Sequence, residues 1–159
     1  MAKTFRAVGL DFFDSAPQRT VVRVPLAHPP SAVFAALADA PGWGRWFPGF
    51  SARSHYLTPP PYGVGSRREM IVFGRPTVET ILAWDEPSRW AFAIQTATMP
   101  GISALAEDYR IAPEAGGSSL TWTMALAASP RLAGALAGAA AGATFRKAAR
   151  NLDRMLAGG

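Results

Sequence analysis

Three successive segments in the second half of the chain alternate bulky apolar side chains with smaller or polar ones. The bulky positions are Trp90, Phe92 and Ile94, then Leu105, Tyr109 and Ile111, then Leu120, Trp122, Met124 and Leu126. Alternation with a period of two is typical of β-strands, because successive side chains point to opposite faces of a sheet. Three such strands in a row, each with one bulky face, predict a sheet that is covered on one side.

A long helix is predicted after these strands. Ser129-Pro130 is a favourable helix start, and apolar residues recur at helical spacing from there to about Leu156. Upstream, Thr20–Leu26 reads as a first strand, Ser31 caps a predicted short helix, and residues 39–48 form a second short helical piece. Further strands are predicted at 50–57, 66–73 and 77–84. This order predicts an α+β fold with about seven antiparallel strands curled around the C-terminal helix.

The composition restricts the chemistry that the chain can perform. It has no Cys, and its two His, at positions 28 and 55, show no zinc-ligand spacing, so we expect no disulfide, metal or cofactor. The net charge of +5 comes from dispersed basic residues without an RNA-binding motif, so no nucleic-acid partner is expected. The longest apolar stretch, residues 132–145, is too short to span a membrane, and without a visible signal segment the cytoplasm is the expected location.

A series of short motifs points to a known superfamily. In chain order they are Val24-Pro25 leading to Val33-Phe34-Ala35-Ala36-Leu37, Trp43, Trp46-Phe47-Pro48-Gly49, Gly63-Val64-Gly65-Ser66-Arg67, Asp85-Glu86-Pro87-Ser88-Arg89, and Gly116-Gly117-Ser118-Ser119-Leu120-Thr121-Trp122. Together they resemble the polyketide cyclase/dehydrase-type branch of the SRPBCC superfamily. The resemblance implies the helix-grip fold of START domains and the birch-pollen allergen, here in residues 19–159. Residues 1–18 form an N-terminal extension whose Phe12 and Phe13 dock on the domain or on a partner.

The first half of the predicted helix carries Gly134, Gly138 and Gly142, spaced by four residues on nearly one face. Small side chains at this spacing indicate either close packing or unfilled volume beneath the sheet. In a helix-grip fold the second interpretation predicts a cavity on the order of 300–1,000 Å³. The expected ligand-binding residues are Trp46, Trp90, Phe92, Glu107, Tyr109, Trp122, Met124 and Gly138.

Glu107 is the most informative polar residue. It shares its strand parity with Leu105, Tyr109 and Ile111, so we expect it to point inward. A carboxyl group in an apolar site can serve as an acid, a base or an anchor for a ligand. The alternative is a rim position or a pairing with an Arg such as Arg68. The parity of Glu69 and Glu79 is ambiguous.

Three functions are compatible with this reading. The preferred one is a carrier or binding protein for a small apolar or aromatic molecule or lipid. The second is a cyclase or dehydratase that uses Glu107, Tyr109 or His55 as its acid–base group. The third is an interaction module like the activators of the Hsp90 ATPase, with a filled interior. A homodimer is compatible with all three.

Overall fold

The computed structural model of the protein describes residues 1–130 and 139–158. Its strands are β1 (Lys3–Thr4), β2 (Gln18–Leu26), β3 (His55–Tyr56), β4 (Arg67–Val72), β5 (Arg75–Asp85), β6 (Arg89–Ala97), β7 (Ile102–Glu114) and β8 (Gly117–Ala128). Its helices are α1 (Phe12–Ser15), α2 (Pro30–Ala38), α3 (Trp43–Trp46) and α4 (Ala139–Ala157). Within these residues the fold is α+β.

The described part of the chain is built on a single antiparallel sheet. Seven strands follow the order β2-β8-β7-β6-β5-β4-β3, and β1 pairs with β6 as an eighth. Consecutive strands from β3 to β8 are neighbours, as expected for a meander of hairpins, and β2 closes against β8. The predicted helix-grip fold is confirmed, and the additional strand comes from the N-terminal residues.

Helix α4 covers the inner face of the sheet with Phe145, Ala148 and Leu152, all of which are buried. The Phe145 ring stacks on Trp122 of β8, with ring centroids 4.3 Å apart. Gly142 is buried next to β2, where an added Cβ would lie 3.5 Å from Val22. At this position the small residue therefore serves close packing. Residues 131–138, which include Gly134 and Gly138, lie outside the described residues.

Two predicted boundaries differ from the structure. The predicted strand at 50–57 is reduced to β3, and Phe50 makes only an isolated bridge with Val72. The interruption is a turn in which the Ser54 N–H donates to the Ser51 carbonyl. Helix α2 begins at Pro30, with Pro29 at the cap and no side-chain hydrogen bond there, so the predicted cap at Ser31 is wrong.

The N-terminal segment first joins the sheet and then packs against its outer face, which is opposite to the face that contains Phe5. Its backbone joins two strands, because the Phe5 N–H donates to Gln95 of β6 and the Arg6 N–H donates to Ser103 of β7. Phe12 and Phe13 are buried on the outer face. Their neighbours are the small side chains Ala83, Ala91, Ala93, Ala104, Ala106 and Ala125. The two phenyl rings therefore dock on the domain itself.

Gly117, the first residue of β8, allows a close approach to the end of β2. An added Cβ would lie 2.1 Å from the Leu26 carbonyl oxygen, a contact that only backbone movement can relieve. We expect Gly117→Ala to lower the free energy of unfolding by about 1–3 kcal/mol in urea titrations, because overpacking displaces the neighbouring strand. Gly63→Ala is the control, since no atom lies within 4 Å of its added Cβ. Equal stability of the two variants would contradict this account of Gly117.

Candidate ligand-binding site

Glu107 lies in the middle of the inner face of the sheet. Its cross-strand neighbours are Phe92 on β6 and Met124 on β8. Leu105 and Tyr109, two residues away on either side, are buried on the same face. The alternation of side chains along β7 thus turns a carboxylate toward the interior of the grip, where apolar residues surround it.

The carboxyl group of Glu107 is fixed by two neutral donors. The hydroxyl of Tyr109 donates a hydrogen bond to Oε2 of Glu107. The indole N–H of Trp122 donates to the same oxygen at 3.0 Å. Because both bonds end on Oε2, Oε1 is the oxygen available to a bound group.

Burial raises the pKa of Glu107 to about 7, because loss of water disfavours the charged form, and the charge of Glu79 acts in the same direction. The hydrogen bonds from Tyr109 and Trp122 and the charge of Arg68 oppose this increase. Near neutral pH both the protonated and the ionised form of the carboxyl group are therefore accessible. Oε1 can accordingly donate a hydrogen bond to a carbonyl group or accept one from a hydroxyl group.

A buried ion pair lies on the neighbouring hairpin. The Nε of Arg68 on β4 donates to Oε2 of Glu79 on β5 at 2.7 Å, and both side chains are almost completely buried. Arg68 also donates from Nη1 to the Leu37 carbonyl at 3.2 Å. Burial raises the pKa of Glu79, and the Arg68 guanidinium opposes that effect. The alternative in which Arg68 pairs with Glu107 is wrong, because Arg68 pairs with Glu79.

Aromatic rings fill much of the space between the sheet and α4. The Trp43 ring of α3 contacts Trp46, Phe47, Phe50, Trp90 and Tyr109, with centroid distances of 4.6–6.1 Å. Phe47 packs edge-on against Trp122 at 5.6 Å. The guanidinium of Arg68 lies 4.7 Å from the Trp43 ring and 4.3 Å from the Trp90 ring. Among the described residues, this aromatic layer leaves a small part of the interior open at Glu107.

The open part is a cavity of about 70 Å³ that contains both inward carboxylates. Its lining residues are Trp43, Phe47, Phe50, Val72, Thr77, Glu79, Phe92, Ile94, Met99, Leu105 and Glu107. Phe47, Phe50, Val72 and Met99 are only half-buried, so this side forms the mouth of the cavity. This volume is below the range expected for a cavity beneath the glycine-bearing half of the C-terminal helix, but Gly134 and Gly138, which were predicted to floor that cavity, lie outside the described residues.

The predicted ligand-binding residues fall into distinct positions. Phe92 and Glu107 line the cavity, whereas Tyr109 and Trp122 hold the Glu107 carboxyl group. Trp46 and Trp90 belong to the aromatic layer, Met124 is buried beside Glu107, and Gly138 lies outside the described residues. His55 is exposed on β3, where its Nδ1 lies 3.0 Å from the Arg53 carbonyl oxygen.

Sequence reasoning missed the pairing of Arg68 with Glu79 and the wall formed by Trp43 and Phe50. A usable signal was present in the hairpin between β4 and β5. A two-residue turn at Phe73-Gly74 places residues 68 and 79 opposite each other, as the observed register has them. Opposite charges at such a position indicate a cross-strand ion pair.

Two general features concern the described residues as a whole. No helix in residues 1–130 and 139–158 is long and apolar enough to cross a membrane. Nor does that part of the chain contain three or more His, Asp or Glu side chains grouped so that they could hold a metal ion.

Comparisons with known proteins agree on the family and on the fold. The family described as polyketide cyclase / dehydrase and lipid transport matches residues 17–157. An uncharacterised protein of Mycobacterium tuberculosis is 35% identical over 119 residues, which cover 74% of this chain and 71% of the relative. A START superfamily protein from Mycobacterium smegmatis has a similar structure, with a TM-score of 0.71, 14% identity, and coverage of 87% of this chain and 97% of that one. Ara h 8.0201 has a TM-score of 0.68 at 13% identity, and coverage of 89% and 99%.

Proposed function

Since the chain belongs to the polyketide cyclase/dehydrase and lipid transport family, as its sequence motifs indicated, we propose that it binds a small, largely apolar molecule in the cavity between the sheet and the segment formed by α3 and the turn after it. The ligand carries one hydroxyl or carbonyl group, which meets Oε1 of Glu107. The observation that supports this most strongly is that the Glu107 carboxyl group lines an aromatic cavity and accepts both of its hydrogen bonds through Oε2 alone. A few polar groups in an apolar pocket are the usual means of orienting a ligand.

The size of the cavity restricts how such a ligand binds. A volume of about 70 Å³ accepts only part of an aromatic molecule. Phe47 and Phe50 border the mouth and are half-buried, so their rings have room to turn outward. We therefore propose that binding displaces these two rings and enlarges the cavity, while Tyr109 and Trp122 keep the carboxyl group in place.

A matched pair of probes tests the proposal. Para-cresol and toluene have the same ring and methyl group, but only para-cresol carries a hydroxyl group. We expect para-cresol to change the tryptophan fluorescence saturably and to bind about tenfold more tightly than toluene, since a hydrogen bond to a charged group contributes about 1.5 kcal/mol or more. Trp43→Phe should remove most of the signal, because the Trp43 ring lines the cavity that receives the probe.

The control for signal assignment is Trp84→Phe. Trp84 lies near the far end of β5, where its ring packs edge-on against Phe34, so this variant should keep the parental response. Absence of any saturable response to either probe would contradict the binding proposal. Equal affinities for the two probes would show that Glu107 does not anchor the ligand.

The elevated pKa of Glu107, about 7, favours a second candidate function in acid–base catalysis. General acids and bases work best with a pKa near the ambient pH. In this function the carboxylate removes a proton from the carbon next to a ligand carbonyl group and later returns one. We expect the parent, but not Glu107→Gln, to accelerate deuterium incorporation into the methyl group of acetophenone in heavy water, measured by NMR. Equal rates with both proteins would exclude this function.

A further inference from the structure

Phe73 is a large apolar side chain for which the fold provides neither cover nor a favourable backbone. It is 79% exposed at the tip of the hairpin between β4 and β5. Its φ of 48° and the φ of 76° at Gly74 place both turn residues in the left-handed region. Such turns favour Asn, Asp or Gly at these positions. Stability alone therefore does not account for a Phe here.

The hairpin tip is held firmly against the rest of the domain. The Phe73 N–H donates to the Gly49 carbonyl at 2.7 Å. The Phe73 ring lies directly over Gly49, where an added Cβ would come within 2.5 Å of it. The exposed ring is thus presented in a defined orientation.

The end of the sheet that carries Phe73 is basic. Three of the connecting segments at this end, 47–53, 73–76 and 98–101, are described in full and contain Arg53 and Arg75 but no Asp or Glu. Arg75 also lines a surface hollow of about 530 Å³ together with Lys3 and residues 98–101. At the opposite end of the sheet, Glu114 precedes one turn, and Asp85 and Glu86 begin another.

The same end contains the mouth of the internal cavity. Val72, which directly precedes Phe73, lines the cavity, and so does Phe50, which directly follows Gly49. Met99 borders both the cavity and the basic hollow. A surface that covered the Phe73 ring would therefore also cover the mouth.

We propose that this end of the domain docks on the surface of an anionic lipid membrane, with Phe73 inserted among the headgroups and Arg75 and Lys3 on lipid phosphates. Aromatic side chains prefer the boundary between lipid and water, and basic side chains are attracted to anionic headgroups. This end presents one protruding ring among basic side chains, and the three segments contain no acidic group. This combination suits a fluid anionic surface. Docking goes beyond ligand binding and does not require it, but it would bring the mouth to the lipid.

Sedimentation with vesicles tests this proposal on the full chain. We expect binding to phosphatidylglycerol-containing vesicles and at least about tenfold weaker binding to pure phosphatidylcholine, as the attraction depends on lipid charge. Arg75→Ser should weaken binding to the anionic vesicles about fivefold and reduce its salt dependence. Phe73→Asn should weaken it about tenfold or more.

Phe73→Asn separates docking from folding, because Asn suits the left-handed turn and should preserve or raise the unfolding temperature. Val64→Ser is the matched control, since Val64 is 70% exposed near the start of β4, at the opposite end of that strand. Equal losses in these two variants, or equal binding to neutral vesicles, would overturn the proposal. So would a Phe73-dependent dimer in the absence of vesicles. Glu107→Gln should dock normally, so failure of ligand binding and failure of docking are distinguishable.

Discussion

Arg68→Met is expected to lower the free energy of unfolding by about 3–5 kcal/mol, measured by urea titration with circular dichroism. Removing one member of a buried ion pair leaves the other charge without compensation in an apolar environment. Glu79 is buried 2.7 Å from the Arg68 Nε, and the guanidinium also packs on the rings of Trp43 and Trp90. The substitution therefore removes the charge partner of Glu79 and disturbs the aromatic layer at the same time.

Two further variants separate these effects. Arg68→Met combined with Glu79→Leu removes both charges, and we expect it to recover most of the lost stability, as apolar replacements of buried ion pairs commonly do. Arg23→Met breaks the pair with Glu114, in which Arg23 is 66% exposed, and should change stability by less than about 1 kcal/mol. If Arg68→Met were as stable as Arg23→Met, the buried pair would not support the fold.

The periodicity of the sequence was sufficient to predict the sheet where strands have one bulky face. β6, β7 and β8 alternate in this way, and their observed registers bring Tyr109 beside both Trp90 and Trp122. The family resemblance supplied the helix-grip arrangement, and the observed sheet order together with the similar solved structures confirms it. Residues 50–57 failed as a strand because local turn hydrogen bonds at Ser51 and Ser54 replace most of the pairing.

The contacts in the interior were harder to predict. Strand parity shows to which face of the sheet a side chain points, but it does not show which side chains it contacts. Parity pointed Glu107 inward, but it did not reveal which donors would reach the carboxyl group. Arg68 and Glu79 were obscured by apolar residues on both faces of their strands. The volume of the cavity depends on how the rings of Trp43 and Phe50 pack across from the sheet, which no pattern within a single strand encodes.

The small residues on the outer face of the sheet were also difficult to interpret from the sequence. Alanines alternate with the bulky side chains of β6 and β7 and read as the solvent side of the sheet. In the structure these alanines form a shallow apolar surface against which Phe12 and Phe13 pack. Rings of that size require small side chains beneath them, so a row of alanines opposite a bulky face can indicate a covered surface.

Glu107→Gln is expected to make the fold less sensitive to pH between about pH 5 and pH 8. The folded-state pKa of Glu107 is about 7, above the ordinary value of 4.5. Below pH 4.5 the carboxyl group is protonated in both the folded and the unfolded chain. As the pH rises, the unfolded chain releases this proton first, so the folded state loses stability until Glu107 itself ionises. The full loss in the parent is about 3–4 kcal/mol, at roughly 1.4 kcal/mol per pKa unit.

Urea titrations of parent and variant across this pH range measure the effect directly. Gln has the shape of Glu and still offers an oxygen to Tyr109 and Trp122, so the variant should equal or exceed the parent in stability at pH 8. Glu86→Gln removes a carboxylate from the exposed turn after β5 and is the matched control, because it leaves the buried Glu107 carboxyl group in place and should keep the pH response of the parent. If Glu107→Gln differed from the parent by a constant amount, the carboxyl group would not titrate within the fold. Ligand recognition through a proton on Oε1 would then lose its physical basis, whereas binding through the ionised carboxylate would remain.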